Sequence, residues 1–427
     1  MVSEMRTPRG MRDFAPEEKL VRNELIGKLV QVFEHYGFVP IDTPLLERWE
    51  VLSAKYSGGD EILKETFSLT DQGGRELGLR YDLTVPLARF VAGNPMMKMP
   101  FKRYQLGSVY RDGPIKLGRY REFWQCDVDI VGSYSMLADA ECILLANRVF
   151  ASLGLDVEIH VNNRKLLNSL LIKAGVKDER AADFLLSVDK LKKIGLDGVR
   201  EELISKDYNV KAIETVLHLL TKQLSAKELL TEMENILGKD NEGIVELNEL
   251  FSHISSENVI FSPSLARGLS YYTGTVFEVF IKDGSFTSSL SAGGRYDNMV
   301  GNFAGSGKEI PAVGISFGLE PIIEVLRLKS MLVPKKTTTK LMLIPMKGFE
   351  TDATHLAEEL RASVNVEVDL MGRSVGKSSE YAKSLGIPFS IVIGENEVNK
   401  QLYDVKNMET GEKTTVKKQD LASFFSS

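Results

Sequence analysis

FKRYQLGSVYRDGPIKLGRYREFWQCDVDIVG, Phe101 to Gly132, reads as two strands and one loop. Tyr104 to Tyr110 has strand character, Arg111-Asp112-Gly113-Pro114 signals a turn, and Gly118 to Val131 reads as the returning strand of an antiparallel hairpin. A period of two places Arg119, Arg121, Phe123, Gln125, Asp127 and Asp129 on one face of that strand. The opposite face holds Tyr120, Glu122, Trp124, Cys126, Val128 and Ile130, mostly apolar and suited to pack on helices, which leaves the polar face open. A solvated sheet face accounts for most charged alternations. Arginines around one aromatic plate fit a ligand better, because a guanidinium forks phosphate oxygens and a phenyl ring stacks on a base. Arg111 and Phe123 are the leading nucleotide-binding candidates.

Outward from the hairpin, punctuation and periodicity lay out the chain. Glu17 to Tyr36 carries an apolar stripe ending at Gly37, where a residue just past a helix belongs. Met136 to Leu153 is a second helix, before Gly154, and Val157 to Val161 a short strand. From about 163 to 255 strand signals vanish and Leu- and Lys-rich helical segments take over, which predicts a helical insertion between two halves of one sheet domain. Strand character resumes at Val259 to Phe261 and Gly274 to Ile281, Gly293-Gly294 marks a tight bend or a close backbone approach, and Ala312 to Phe317 feeds a helix at about Glu320. Residues 332–340 read as a linker. Beyond them strands Leu341–Ile344, Val366–Asp369 and Phe389–Ile393 alternate with helices, predicting a small α/β domain of parallel strands over 341–427. The fold class is thus an α+β domain on an antiparallel sheet, 1–331, followed by a smaller α/β domain.

The 427 residues, 43% hydrophobic and 26% charged, describe a globular protein with room for two or three domains. No apolar run reaches bilayer length and MVSEMRTPRG has no apolar signal region, so the expected location is the cytoplasm, without a membrane partner. Cys126 and Cys142 lack metal-ligand spacing and read as buried small hydrophobes. A formal charge of −6 does not suggest RNA, although a basic strip on an acidic body can dock it. Lys190-Leu-Lys192-Lys193 and Lys335-Lys336 with Lys340 are candidate strips, and solvated surface charge is the better explanation of each.

Five segments in order resemble histidyl-tRNA synthetases, members of the class II aminoacyl-tRNA synthetases. The hairpin resembles that class's motif 2. PRGMRDF (Pro8 to Phe14) is similar to the family's start, LRYDLTVPLARF (Leu79 to Phe90) to its amino-acid-binding turn, and ARGLSYYTGTVFEVF (Ala266 to Phe280) and SAGGRYDNMVGNF (Ser291 to Phe303) to its histidine signatures. The resemblance covers essentially the whole chain. It implies activation of histidine with ATP, transfer to tRNA(His), an anticodon-binding role for 341–427, an insertion lying near the tRNA acceptor arm, and a homodimer whose contact is supplied largely by the segment through Leu46.

Joining a carboxylate to the α-phosphate of ATP brings two anions together, so positive charge must be supplied where they meet. By resemblance, Arg111 holds the α-phosphate and Arg267 bridges it to the histidine carboxylate; a surface arginine in a turn is the bland alternative for Arg267. Arg119 is the candidate for the terminal phosphates, Phe123 for stacking on adenine, and Mg²⁺ is expected with the phosphates, with no metal ligands legible. Neutral imidazole offers one donor and one acceptor, and the resemblance puts Asp129 and Tyr272 against its two nitrogens. Asp82, Thr84 and Gln125 match the family's α-ammonium ligands, while Asp82 also suits a helix N-cap. Tyr271 is ambiguous, since neighbours on a strand face opposite ways.

Three departures stand out. In AVGISFGLEPII, Pro321 occupies the position of the arginine that contacts the terminal phosphate in motif 3, and Arg327, six residues on, falls on another side of the helix. Ser270 stands where the family often has Asp, and Asp112-Gly113 shortens the usual adenine-contacting loop. These keep open a second reading, a catalytically inactive relative that regulates ATP phosphoribosyltransferase. A third, a non-enzymatic RNA-binding or signalling module, leaves the set of arginines, Phe123, Gln125 and Asp129 without a purpose.

Overall fold

The computed structural model describes residues 5–54, 60–222, 224–266 and 271–426. They form two compact units, one of residues 5–12 and 25–331, the other of residues 13–24 and 332–426.

The first unit is built on an eight-stranded sheet. In spatial order its strands are Val39–Pro40, Phe101–Tyr110, Glu122–Val131, Ala312–Gly318, Ser291–Arg295, Thr275–Ile281, Val157–Asn163 and Val259–Phe261. The six inner strands run antiparallel, and only the two edge pairings are parallel. This refines the antiparallel expectation: each edge strand is two or three residues long and pairs with a neighbour that could not be reached through a tight turn. The hairpin registers Arg103 against Asp129 and Gln105 against Asp127. On the other side of the returning strand, Gly314 faces Asp129 and Ser316 faces Asp127.

The apolar face of the returning strand is core, with Cys126, Val128 and Ile130 buried. Helix Met136–Ser152, capped by the Ser135 side chain accepting from the Leu137 N–H, packs in the same unit. The polar face is shorter than expected. Residues 112–121 form a loop rather than strand, with a tight Lys116–Arg119 bridge around Gly118 at φ +70°. Alternation therefore starts at Glu122, and Arg121 leaves the face to pair with Asp112 at 2.7 Å.

Six helices between Arg164 and Ser252 make up the insertion among the described residues. Asn163 ends the sheet strand and starts the first of them, its side chain accepting from the Lys165 N–H at 2.8 Å. Lys190 pairs with Glu202 at 2.8 Å and Lys335 with Glu24 at 3.2 Å, as ordinary surface charge does. The side chain of Lys192 lies outside the described residues.

The second unit carries a five-stranded sheet ordered Val366–Val368, Leu341–Pro345, Phe389–Ile393, Leu402–Asn407, Lys413–Lys417. The first three are parallel, joined by helices Glu350–Leu360 and Val375–Leu385. The last two are antiparallel and were not expected from the sequence. Their residues are mostly polar, because one edge faces solvent, and so give no apolar run to read.

Candidate active site

A cavity of about 450 Å³ opens over the polar face of the returning strand. It is lined by Asp82, Thr84, Arg111, Arg119, Phe123, Gln125, Asp129, Tyr271 and Tyr272. Every predicted site residue is in this set except Arg267, which, with Ser270, lies outside the described residues. The lining runs from Ile62 to Gly318 in the sequence, so only folding brings these walls together.

Arg111, at the end of the outgoing strand, donates from Nε to the Tyr81 carbonyl at 2.9 Å, and its guanidinium lies 5.3 Å from the Phe123 ring centroid. One edge of the guanidinium is held by the backbone, and the rest is oriented over an aromatic plate. Burial pulls its pKa down, while Asp82 opposes that pull. The N-cap position is Leu83 rather than Asp82, but Asp82 Oδ1 accepts from the Val85 N–H at 3.0 Å in the first turn of helix Thr84–Ala92. Burial drives its pKa up to about 6 against that hydrogen bond and Arg111. Gln125 donates to Ser316 Oγ at 2.8 Å, and its Oε1 lacks a protein partner among the described residues.

At the cavity floor Asp129 is held from two sides. Arg103 Nη2 lies 2.5 Å from Oδ2, and the Tyr296 hydroxyl donates to Oδ1 at 2.5 Å. Burial raises the Asp129 pKa, and Arg103 and the Tyr296 hydrogen bond lower it. A Cβ at Gly314 would collide with this carboxyl, so the glycine leaves the space that Asp129 fills. Tyr271 and Tyr272 both reach the cavity, their ring centroids 4.9 Å apart. The alternation argument fails here because the pair sits in a turn before strand Thr275–Ile281. Gly294 explains the close approach predicted at Gly293-Gly294: a Cβ there would come within 2.8 Å of the Tyr272 ring.

Asp127, Tyr296, Ser316 and Glu65 also line the cavity and were not picked out as ligands by sequence reasoning. Asp127 was visible as a member of the polar face, and Tyr296 as part of SAGGRYD. Ser316 and Gly314 carried no signal, since their place follows from strand register. Arg327 pairs with Glu324 at 2.8 Å and does not line the cavity. Pro321 packs beside Gly318 instead, and Glu320 accepts from the Trp124 N–H at 2.9 Å. The helix start that would carry a motif 3 arginine is therefore preserved without its charge.

The histidyl-tRNA synthetase family model matches residues 10–322, and an anticodon binding domain model matches residues 340–427. The chain belongs to the histidyl-tRNA synthetase family. It is 43% identical to histidine–tRNA ligase 1 of Bacillus thuringiensis subsp. konkukian over 99% of this chain and 100% of that one. It is 39% identical to histidine–tRNA ligase of Aeropyrum pernix over 96% of this chain and 95% of the other. The crystal structure of histidyl-tRNA synthetase from Nostoc sp. PCC 7120 superposes with a TM-score of 0.84 at 29% identity, covering 99% of both chains. An ATP phosphoribosyltransferase regulatory subunit/histidyl-tRNA synthetase from Bacillus halodurans superposes at 0.73 with 26% identity, over 88% of this chain and 96% of that one. Among the described residues, no helix is long and apolar enough to cross a membrane.

The Tyr296 hydroxyl fixes one oxygen of Asp129, so Tyr296→Phe leaves the carboxylate held by Arg103 alone. The expected result is a rise of about tenfold in the KM for histidine, with kcat little changed, the cost of one hydrogen bond to a charged group. Steady-state pyrophosphate exchange measures it, and an unchanged KM would contradict the clamp.

Proposed function

We propose that this chain is a histidine–tRNA ligase: it joins histidine to ATP as histidyl-adenylate, releasing pyrophosphate, and passes the histidyl group to the 3′ end of tRNA(His). The observation that carries this reading is one cavity with carboxylates on its floor and Arg111 and Phe123 on its wall. The floor suits a cationic ammonium and an imidazole; the wall suits a nucleotide phosphate and a base.

In this reading Arg111 neutralises charge on the α-phosphate as the histidine carboxylate attacks it, and Arg267 bridges the two anions. The oxygen–phosphorus bond forms as the bond to pyrophosphate breaks, so the leaving group carries away the charge. Asp82, Thr84 and Gln125 hold the α-ammonium. Asp129 accepts only, so it fixes the ring proton on the nitrogen facing it, while the Tyr272 hydroxyl donates to the other. Side chains without that pair of nitrogens leave buried polar groups unmatched. Arg119 meets the terminal phosphates and Phe123 the adenine. Mg²⁺ is expected with the ATP phosphates, whose charge a hard divalent cation neutralises.

Residues 1–331 are the catalytic domain with its insertion at 163–255, and 341–427 read the anticodon, in the cytoplasm. The regulatory-subunit reading shares the first unit's fold but gives no use to the anticodon-binding match. Histidine-dependent ATP–pyrophosphate exchange separates the two: robust exchange establishes the ligase, and histidine binding without exchange favours the regulator and points to Pro321.

Val39, Leu45 and Leu46 are exposed apolar residues in the N-terminal part of the first unit, which supports burial against a second copy. Sedimentation should return twice the chain mass at micromolar concentration, and Leu46→Glu should shift the equilibrium toward monomer by about tenfold or more. A monomeric wild type would refute the dimer.

A further inference from the structure

Arg103 has no exposed surface and touches no part of the cavity opening, yet it stands directly across the sheet from Asp129. Asp127 and Asp129 project from the same face of one strand, two residues apart, and both are almost fully buried. On one face of a low-dielectric floor, a charge on Asp129 disfavours a charge on Asp127. Asp127 Oδ1 has no protein partner among the described residues, and neither do Nε and Nη1 of Arg103. Buried donors and a buried acceptor are therefore left over on the same floor, beyond the Arg103–Asp129 pair.

We propose that Arg103 is a positioning residue for histidine selection, a buried counter-ion shared by Asp127 and Asp129 that keeps both carboxylates available as acceptors. The inference rests on the reading of Asp129 as an imidazole ligand. A protonated Asp129 would present an O–H to the ring, compete with the ring's own donor, and lose its control over the tautomer. The groups facing the pair are Asp82 ahead of helix Thr84–Ala92, Tyr296 after strand Ser291–Arg295, Ser316 on strand Ala312–Gly318, and the Cys142 thiol on helix Met136–Ser152. None of these is a cation. Arg103 lowers the pKa of both carboxylates, against burial in each case and against the neighbouring Asp129 charge in the case of Asp127. Asp127 remains raised to about 7 even so, burial being the larger cause.

The test measures histidine and ATP KM by pyrophosphate exchange, from about pH 6.5 to about pH 8.5, on full-length wild type, Arg103→Met, Arg103→Lys and Asp129→Asn. Comparing each variant with wild type at the same pH cancels the titration of histidine itself. Without the cation the carboxylates bind protons more tightly, and binding needs the ionised form, so the loss is largest at low pH and shrinks as pH rises. Arg103→Met should raise histidine KM about 30-fold at the acidic end, as a carboxylate pKa raised by roughly 1.5 units would, and leave ATP KM within about threefold. Arg103→Lys keeps the charge and should show a smaller loss that does not vary with pH. An unchanged histidine KM in Arg103→Met overturns the proposal, as does a pH-independent rise shared with ATP. Should the methionine variant fail to fold, a pH-dependent loss in Arg103→Lys overturns it too. Asp129→Asn separates the two ideas: if it leaves histidine KM unchanged, the reading of Asp129 fails; if it raises KM while Arg103→Met does not, only the Arg103 inference fails.

Discussion

Arg111→Ala is expected to lower histidine-dependent pyrophosphate exchange by about 10³-fold, mostly in kcat, at unchanged fold stability. The guanidinium is preoriented before any nucleotide arrives, by the Tyr81 carbonyl and the Phe123 ring. It therefore needs no reorganisation when charge builds on the α-phosphate, and a preset donor of this kind contributes most in a site shielded from water. Alanine also removes a cation that holds the Asp82 pKa down and lets that carboxyl take a proton more readily, which adds a weaker histidine affinity. Rapid-quench measurement of adenylate formation separates the chemical step from binding. A loss confined to ATP KM would mean that Arg111 binds nucleotide without stabilising the transition state.

Asp129→Asn should lower kcat/KM for histidine by about 10²-fold, with ATP KM nearly constant, because a buried donor on the imidazole loses a charged acceptor. The asparagine oxygen can still accept from Tyr296 or face Arg103, so the sheet has a route to fold. Its amide nitrogen, however, presents a donor where the ring needs an acceptor, and Arg103 loses its counter-charge at 2.5 Å. A melting curve run beside the kinetics reports that second effect, since an uncompensated buried arginine destabilises on its own account. Equal losses for histidine and ATP would assign Asp129 to structure alone.

Much of the molecule is legible in the sequence, for identifiable reasons. Strand Phe389–Ile393 is legible at its observed bounds, because an apolar run is flanked by Pro388 and Gly394. The C-terminal hairpin Leu402–Lys417 was missed, since its polar alternation resembles a loop. On the returning strand the two faces from Phe123 to Ile130 follow from period two alone, whereas Arg121 was misassigned because a backbone turn at Gly118 delays the strand.

By itself the sequence determined the polar face of the returning strand, the residues that match the family's site, and the order of the segments that carry them. Those are local properties: side-chain type and spacing are fixed along the chain. Only the tertiary structure decided that Arg103 lies opposite Asp129, that Gly314 makes room for its carboxyl, and that Tyr296 clamps it. These depend on strand register and on neighbours up to 185 positions away, and a one-residue slip of the outgoing strand would turn Arg103 to the other face.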